Sequence, residues 1–329
     1  MSTAAVSRVR RSAAKVMLVV VALVMSGLVA SPSAGASDRG GYLALGDSVA
    51  FGYEPPEVTP GEKYLNPANF KGYPEYFASV AGLRLTNASC PGESTASMID
   101  IKALSYACLN TPAGPGYRAM FPLHVGYTGK SQLDYAVEYL KSHSDTRLVT
   151  LNIGANDVFL CQATAGGCDP AEQMQVLGKI GSNLATILTT LRAHYNGPLV
   201  LLTYYSESYT DQALVDGTQA LNSVLAATAK QFGASVADGY TAFKLASSRY
   251  NGNPCAAGLL IKLPDGTCNI HPSVRGDWVL TAAVAVARLR ASAFQSSAEQ
   301  LESAVEEQPP AEVPSAVQEE SPELQASLT

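Results

Sequence analysis

Three short stretches of this chain place nucleophile, hydrogen-bond donor and base chemistry beside apolar runs. The first is Gly46-Asp47-Ser48, directly after Gly41-Tyr-Leu-Ala-Leu45. Glycine at 46 relieves crowding where the chain turns, and such a turn presents the Ser48 hydroxyl at a strand end, where open parallel sheets bind ligands. Taken alone, a serine in this place is as readily a helix N-cap. The second is Asn152-Ile153-Gly154-Ala155-Asn156-Asp157, after another apolar run. Here the Asn156 amide could donate to an oxygen on which negative charge develops, although an Asx turn uses the same residue types. The third is Asn269-Ile270-His271-Pro272. Of the four histidines in the chain, His143 and His194 close predicted helices, where imidazole complements the helix dipole. His124 lies near Pro122 in an irregular stretch, which leaves His271 as the best-placed general base. A capping or buried loop histidine would also fit that position.

The elements that must position these groups alternate. Residues 41–45, 83–87, 147–153, 199–203 and 234–237 read as five short strands. The spacing predicts helices over 73–81 (stopped by Gly82), 132–143, 170–195 (with Pro170 at its start), 210–232 and 273–294. Strand and helix in alternation argue for one α/β domain with a parallel sheet covered on both faces. The stretch 100–129, rich in Gly, Pro and Tyr, is expected to be a long insertion loop.

The two ends read differently. Arg8, Arg10, Arg11 and Lys15 precede an apolar run from Val16 to Ala30, and Ala34-Gly35-Ala36 offers a small-x-small cleavage pattern. Residues 1–36 are therefore expected to be an export signal, the domain to span 37–295, and the protein to be secreted. From Ser296 the chain carries eight glutamates and no Lys, Arg or aromatic residue, so residues 296–329 are expected to form a disordered acidic tail. That tail holds a formal charge of −8 against a total of −6, leaving the rest near +2. A nearly neutral domain points away from nucleic acid as a partner.

Six cysteines in an exported chain imply three disulfides. Each successive pair brackets a short stretch between predicted elements, so the expected pairing is Cys90–Cys108, Cys161–Cys168 and Cys255–Cys268. No C-x-x-C or H-E-x-x-H spacing suggests a metal, and neither G-x-S-x-G, G-x-G-x-x-G nor a P-loop occurs. No metal or other cofactor is expected.

Taken together, these blocks resemble the SGNH (GDSL-type) hydrolase family. Leu45-Gly46-Asp47-Ser48 with Phe51-Gly52-Tyr53 is similar to the family's first block, Asn87 through Pro91-Gly92-Glu93-Ser94 to its second, Gly154-Ala155-Asn156-Asp157 to its third, and Ile270-His271-Pro272 to its last. The resemblance implies a three-layer αβα sandwich around a mostly parallel five-stranded sheet. It also implies Ser48 as nucleophile, His271 as base, and an oxyanion hole formed by the Ser48 and Gly92 N–H groups and the Asn156 amide. The first block and the cysteine layout are most similar to secreted actinobacterial lipases and esterases.

One departure stands out. The family usually carries an acid three positions before the histidine, and here that position is Cys268. The imidazole is then expected to be oriented by a backbone carbonyl of the Asp265–Asn269 loop, with Asp265 itself the alternative. The function expected is hydrolysis of carboxylic esters of fatty acids, phospholipids among them, by a monomer in transient contact with a lipid interface. A carbohydrate O-acyl esterase and a non-catalytic lipid- or glycan-binding module are the alternatives.

Overall fold

A computed structural model of the protein describes residues 39–306. The export signal read over 1–36 and the acidic residues from 307 onward lie outside the described residues. The apolar runs form a five-stranded sheet from β1 (Gly41–Gly46), β2 (Arg84–Asn87), β3 (Thr146–Asn152), β4 (Leu199–Leu202) and β5 (Ser235–Ala237). Its spatial order is β2-β1-β3-β4-β5, and every pairing is parallel. Strand order reverses between β1 and β3. In doubly wound sheets, that reversal opens a crevice beyond the strands' carboxyl ends.

Strands covered on both faces need side chains that are apolar on both sides, which is why β1 reads as a continuous run rather than an alternating one. Tyr42, Leu43 and Leu45 are fully buried, as are Leu148 and Leu151 of β3 and Leu201 of β4. One layer contains α5 (Gln132–Ser142), α7 (Pro170–Arg192) and α8 (Gln212–Gln231). The other contains α2 (Tyr73–Ala81), α9 (Gly239–Ala246) and α10 (Val274–Glu306). The result is the expected three-layer sandwich.

Shorter helices sit where the sequence reading had only turns. These are α1 (Ser48–Phe51), α3 (Thr95–Ile99), α4 (Tyr117–Met120) and α6 (Ala155–Gln162). α4 places structure inside the stretch expected to be a long loop. Tyr117 packs edge-on against Phe51 at 5.2 Å, so aromatic packing folds the insertion onto the domain. A further difference concerns the last helix. α10 continues to Glu306, past the composition change at Ser296. Ala, Leu, Gln and Glu are good helix formers, so losing aromatic and basic residues does not by itself end a helix.

All three expected disulfides are present: Cys90–Cys108, Cys161–Cys168 and Cys255–Cys268, with Cα–Cα separations of 5.7, 5.2 and 5.8 Å. The last one ties the turn before β6 (Leu260–Lys262) to the first residue of its antiparallel partner β7 (Cys268–Pro272), and β7 carries His271. Among the described residues, no helix is long and apolar enough to cross a membrane.

Candidate active site

Ser48 is the first residue of α1, immediately beyond β1. The turn between them requires glycine. Gly46 has φ +135°, and a Cβ there would fall 2.1 Å from the Asn152 carbonyl oxygen on β3. The Asp47 N–H donates to that same carbonyl at 3.1 Å. Gln132 of α5 braces the turn from behind, with its Oε1 accepting from Gly46 N at 2.6 Å and its Nε2 donating to Gly46 O at 3.0 Å. The serine therefore stands on a backbone bonded from two directions.

His271 reaches it from the far end of the chain. Its Nε2 lies 2.8 Å from Ser48 Oγ. Its Nδ1 lies 2.5 Å from the Asn269 side-chain oxygen, which also accepts from the backbone N–H of His271 at 3.1 Å. A backbone N–H can only donate, so the Asn269 atom it meets is an acceptor. Nδ1 must then carry a proton, which leaves Nε2 free to accept from the serine hydroxyl. Tyr53 packs edge-on against the imidazole at 4.9 Å, and the Tyr205 hydroxyl donates to Ile270 O at 2.7 Å. Burial holds the His271 pKa down, to about 4. The imidazole is thus neutral at physiological pH.

This corrects the expectation about what orients the histidine. Asp265 is exposed and spends its carboxylate on its own turn, accepting from Thr267 N at 2.9 Å and Thr267 Oγ1 at 2.7 Å. The acceptor at Nδ1 is not a backbone carbonyl either. It is the side chain of Asn269, folded into an Asx turn whose oxygen serves two donors. An Asn two residues before the histidine was visible in the sequence as a turn former, and that turn is what delivers the oxygen.

Asn156 lies in the first turn of α6, beyond β3, and is buried. Its Nδ2 donates to Asp47 Oδ2 at 3.3 Å. The other oxygen of Asp47 accepts from Val49 N at 3.0 Å, capping α1. The Tyr204 hydroxyl donates to Asp47 Oδ2 at 2.5 Å. Burial pushes the Asp47 pKa up to about 7, against the lowering effect of the Tyr204 and Val49 hydrogen bonds. Neither Tyr204 nor the bonding of Asp47 was singled out from the sequence. Both depend on β1, β3 and β4 ending side by side.

Ser48, Asn156 and His271 line one pocket of about 230 Å³, together with Val158, Phe159, Leu214 and Leu221. Gly92 is not among its lining residues. It sits in the turn after β2 with φ +79°, where a Cβ would fall 2.3 Å from Ala107. The Cys90 N–H donates to Gly46 O at 3.0 Å, tying that turn to the end of β1. Asp157 fastens the neighbouring segment by accepting from Thr95 N at 2.8 Å and Thr95 Oγ1 at 2.6 Å.

Two of the other histidines are occupied elsewhere, and His194 is exposed just beyond the end of α7. His124 Nε2 lies 3.0 Å from Phe51 O, and His143 stacks on Tyr139 at 4.0 Å. Cys90, Glu93 and Cys108 are the one trio of potential metal ligands brought together among the described residues. The two sulfurs are bonded to each other, so neither is a thiolate ligand.

No curated protein matches this chain in sequence. Similar solved structures include phospholipase A1 from Streptomyces albidoflavus NA297, 19% identical over 76% of this chain and 99% of that one, with a TM-score of 0.47. An acetyl xylan esterase variant from Geobacillus stearothermophilus is 17% identical over 74% and 92% of the two chains, TM-score 0.45. An α/β hydrolase from the metagenome of Lake Arreo, Spain, is 18% identical over 76% and 94%, TM-score 0.44. The model of the GDSL-like lipase/acylhydrolase family matches residues 44–279. A match running unbroken from β1 through His271 and into α10 makes this chain a member of the GDSL-like lipase/acylhydrolase family, and so a carboxylic ester hydrolase.

Proposed function

We propose that the protein is a secreted serine esterase that hydrolyses carboxylic esters of fatty acids, phospholipids among them, through an acyl-enzyme on Ser48. The observation that carries this reading is the apolar pocket opening onto the Ser48–His271 pair. An alkyl chain laid against Val158, Phe159, Leu214 and Leu221 contributes binding energy by burying apolar surface.

In the first half-reaction His271 Nε2 takes the Ser48 proton as Oγ attacks the ester carbonyl. The carbonyl π electrons move onto oxygen, which accepts from the Ser48 and Gly92 N–H groups and the Asn156 amide. Neither N–H donates to another group among the described residues. The tetrahedral species collapses as His271 returns the proton to the departing alkoxide. In the second half, water gives a proton to His271 as it attacks the acyl carbon, and the second tetrahedral species collapses to the carboxylic acid as His271 returns that proton to the departing Ser48 Oγ. Asn269 keeps Nδ1 protonated throughout, supplying geometry and tautomer without a carboxylate's charge. Three disulfides and a basic, then apolar, N-terminal stretch support export.

Initial rates on p-nitrophenyl esters of increasing acyl length test the substrate class. Rates that climb to an optimum beyond short chains are expected. An acetyl-only optimum would indicate a carbohydrate O-acyl esterase instead, and no turnover on any ester would indicate a binding module.

A further inference from the structure

We propose that Tyr204 is a positioning residue for the oxyanion hole, acting at one remove: its hydroxyl holds Asp47 as an acceptor, and Asp47 aims the Asn156 amide. This inference rests on Asn156 being an oxyanion donor. An amide NH2 has two hydrogens. Committing one to Asp47 Oδ2 fixes the amide plane and leaves the other for a substrate oxygen. The arrangement works only while Asp47 is ionised. A protonated Asp47 could donate to the amide oxygen instead, and the amide would be free to turn over.

The geometry suits that task. Asp47 is 1% exposed, and its Oδ2 is shared by Tyr204 and Asn156 while Oδ1 caps α1. Tyr204 is held independently of its hydroxyl. Asn222 of α8 accepts from Tyr204 N at 2.8 Å and donates to Tyr204 O at 2.7 Å, so the backbone stays in place if the hydroxyl is removed. The groups facing Asp47 are Tyr204 and Tyr205 after β4, Asp157 on α6, Tyr73 on α2 and Glu93 after β2. None is a cation. Besides the backbone N–H groups of Val49 and of Asp47 itself and the Asn156 amide at 3.3 Å, the hydroxyl of Tyr204 is what favours the ionised form. Burial has already raised the Asp47 pKa to about 7, so losing that hydroxyl moves it further up.

The test is a double-mutant cycle read over pH. Tyr204→Phe should lower kcat about tenfold at pH 8, less than the 10²–10³ expected for losing a whole donor, with KM within about twofold of wild type. Its kcat should fall off at a higher pH than in wild type. In an Asn156→Ala background the same change should cost less than about twofold, because the residue it acts through is gone. If Tyr204→Phe fails to fold, Asp47→Asn carries the test. Its amide oxygen can still cap α1, and kcat should be low at every pH, with the fall near pH 7 abolished. An unchanged kcat in Tyr204→Phe, or equal costs with and without Asn156, would overturn the inference while leaving the catalytic reading intact. A silent Asn156→Ala would instead remove Asn156 from the oxyanion hole, and the inference with it.

Discussion

The contact between Asn269 and His271 changes what a substitution near the histidine should do. Asn269→Ala removes the acceptor at Nδ1, so both neutral tautomers become populated and Nε2 is protonated part of the time. A loss of about 10²–10⁴ in kcat is expected, bounded above by the cost of enforcing the wrong tautomer in a serine protease. Asn269→Asp keeps the acceptor and adds a charge that favours imidazolium, so most activity should survive and the imidazole pKa, followed by NMR titration, should rise. Asp265→Asn should change kcat/KM only a few-fold, since that carboxylate is exposed and bonded to Thr267. A thousand-fold loss in a folded Asp265→Asn protein would return the third role to Asp265. Ser48→Ala should abolish turnover, and an organophosphonate should label Ser48 and no other serine.

At the scale of elements, two joints hold the Ser48–His271 pair in register. One is the close approach of β1 to β3 at Gly46. Gly46→Ala combines a disfavoured φ with a Cβ driven into the Asn152 carbonyl, and should cost about 3 kcal/mol or more of stability, measured by denaturant unfolding. The other is the disulfide that ties the turn before β6 to the start of β7. Cys255 and Cys268 are 13 positions apart, and closing a loop of that size contributes roughly 3 kcal/mol through the unfolded chain. Because His271 follows three positions later on the same strand, Cys255→Ser with Cys268→Ser should lower the melting temperature. It should also lower kcat at temperatures where the domain is still folded. A melting change with unaltered kcat would mean that Tyr53 and Tyr205 hold the imidazole unaided.

The described domain buries several carboxyl groups whose desolvation outweighs such cationic neighbours as Lys71 beside Glu75 and Arg118 beside Glu93, and this gives its stability a pH dependence. Burial raises Asp47, Glu75 and Glu93 to about 7 and Asp157 to about 6. Between the ordinary carboxylate range and those values, the folded chain holds protons that the unfolded chain has released. The folded state is therefore favoured at low pH, and stability falls as pH rises through roughly 4 to 7. His271 and His124, both lowered by burial, act the other way: stability is lost as pH falls through about 6.5 towards 4. The carboxyl groups are more numerous. The melting temperature should accordingly be higher at pH 5 than at pH 8, and the reverse order would show that these groups are paired or hydrated in solution. Asp47 lies where stability and activity conflict, since the ionised form that suits Asn156 is the one burial opposes.

Much of this protein is legible in its amino-acid sequence. Five apolar runs separated by helical spacing specify a parallel α/β sheet, because burial on both faces demands continuous apolar strands. Gly46-Asp47-Ser48, Asn156 and Ile270-His271-Pro272 could be read from residue type and place. The cysteine pairs could too, since each encloses a short loop. The contacts made across the sheet were not legible. Asn269 is an ordinary turn former until its turn brings the oxygen to Nδ1, and the sequence pointed instead to a backbone carbonyl of that loop or to Asp265, because spacing alone does not say which group faces the ring. Tyr204 lies 157 positions from Asp47 and shares no local pattern with it. Their hydrogen bond exists because β1, β3 and β4 end together at one edge of the sheet. Local chemistry is written in neighbouring residues, but which distant groups share a buried proton is decided by strand order and register.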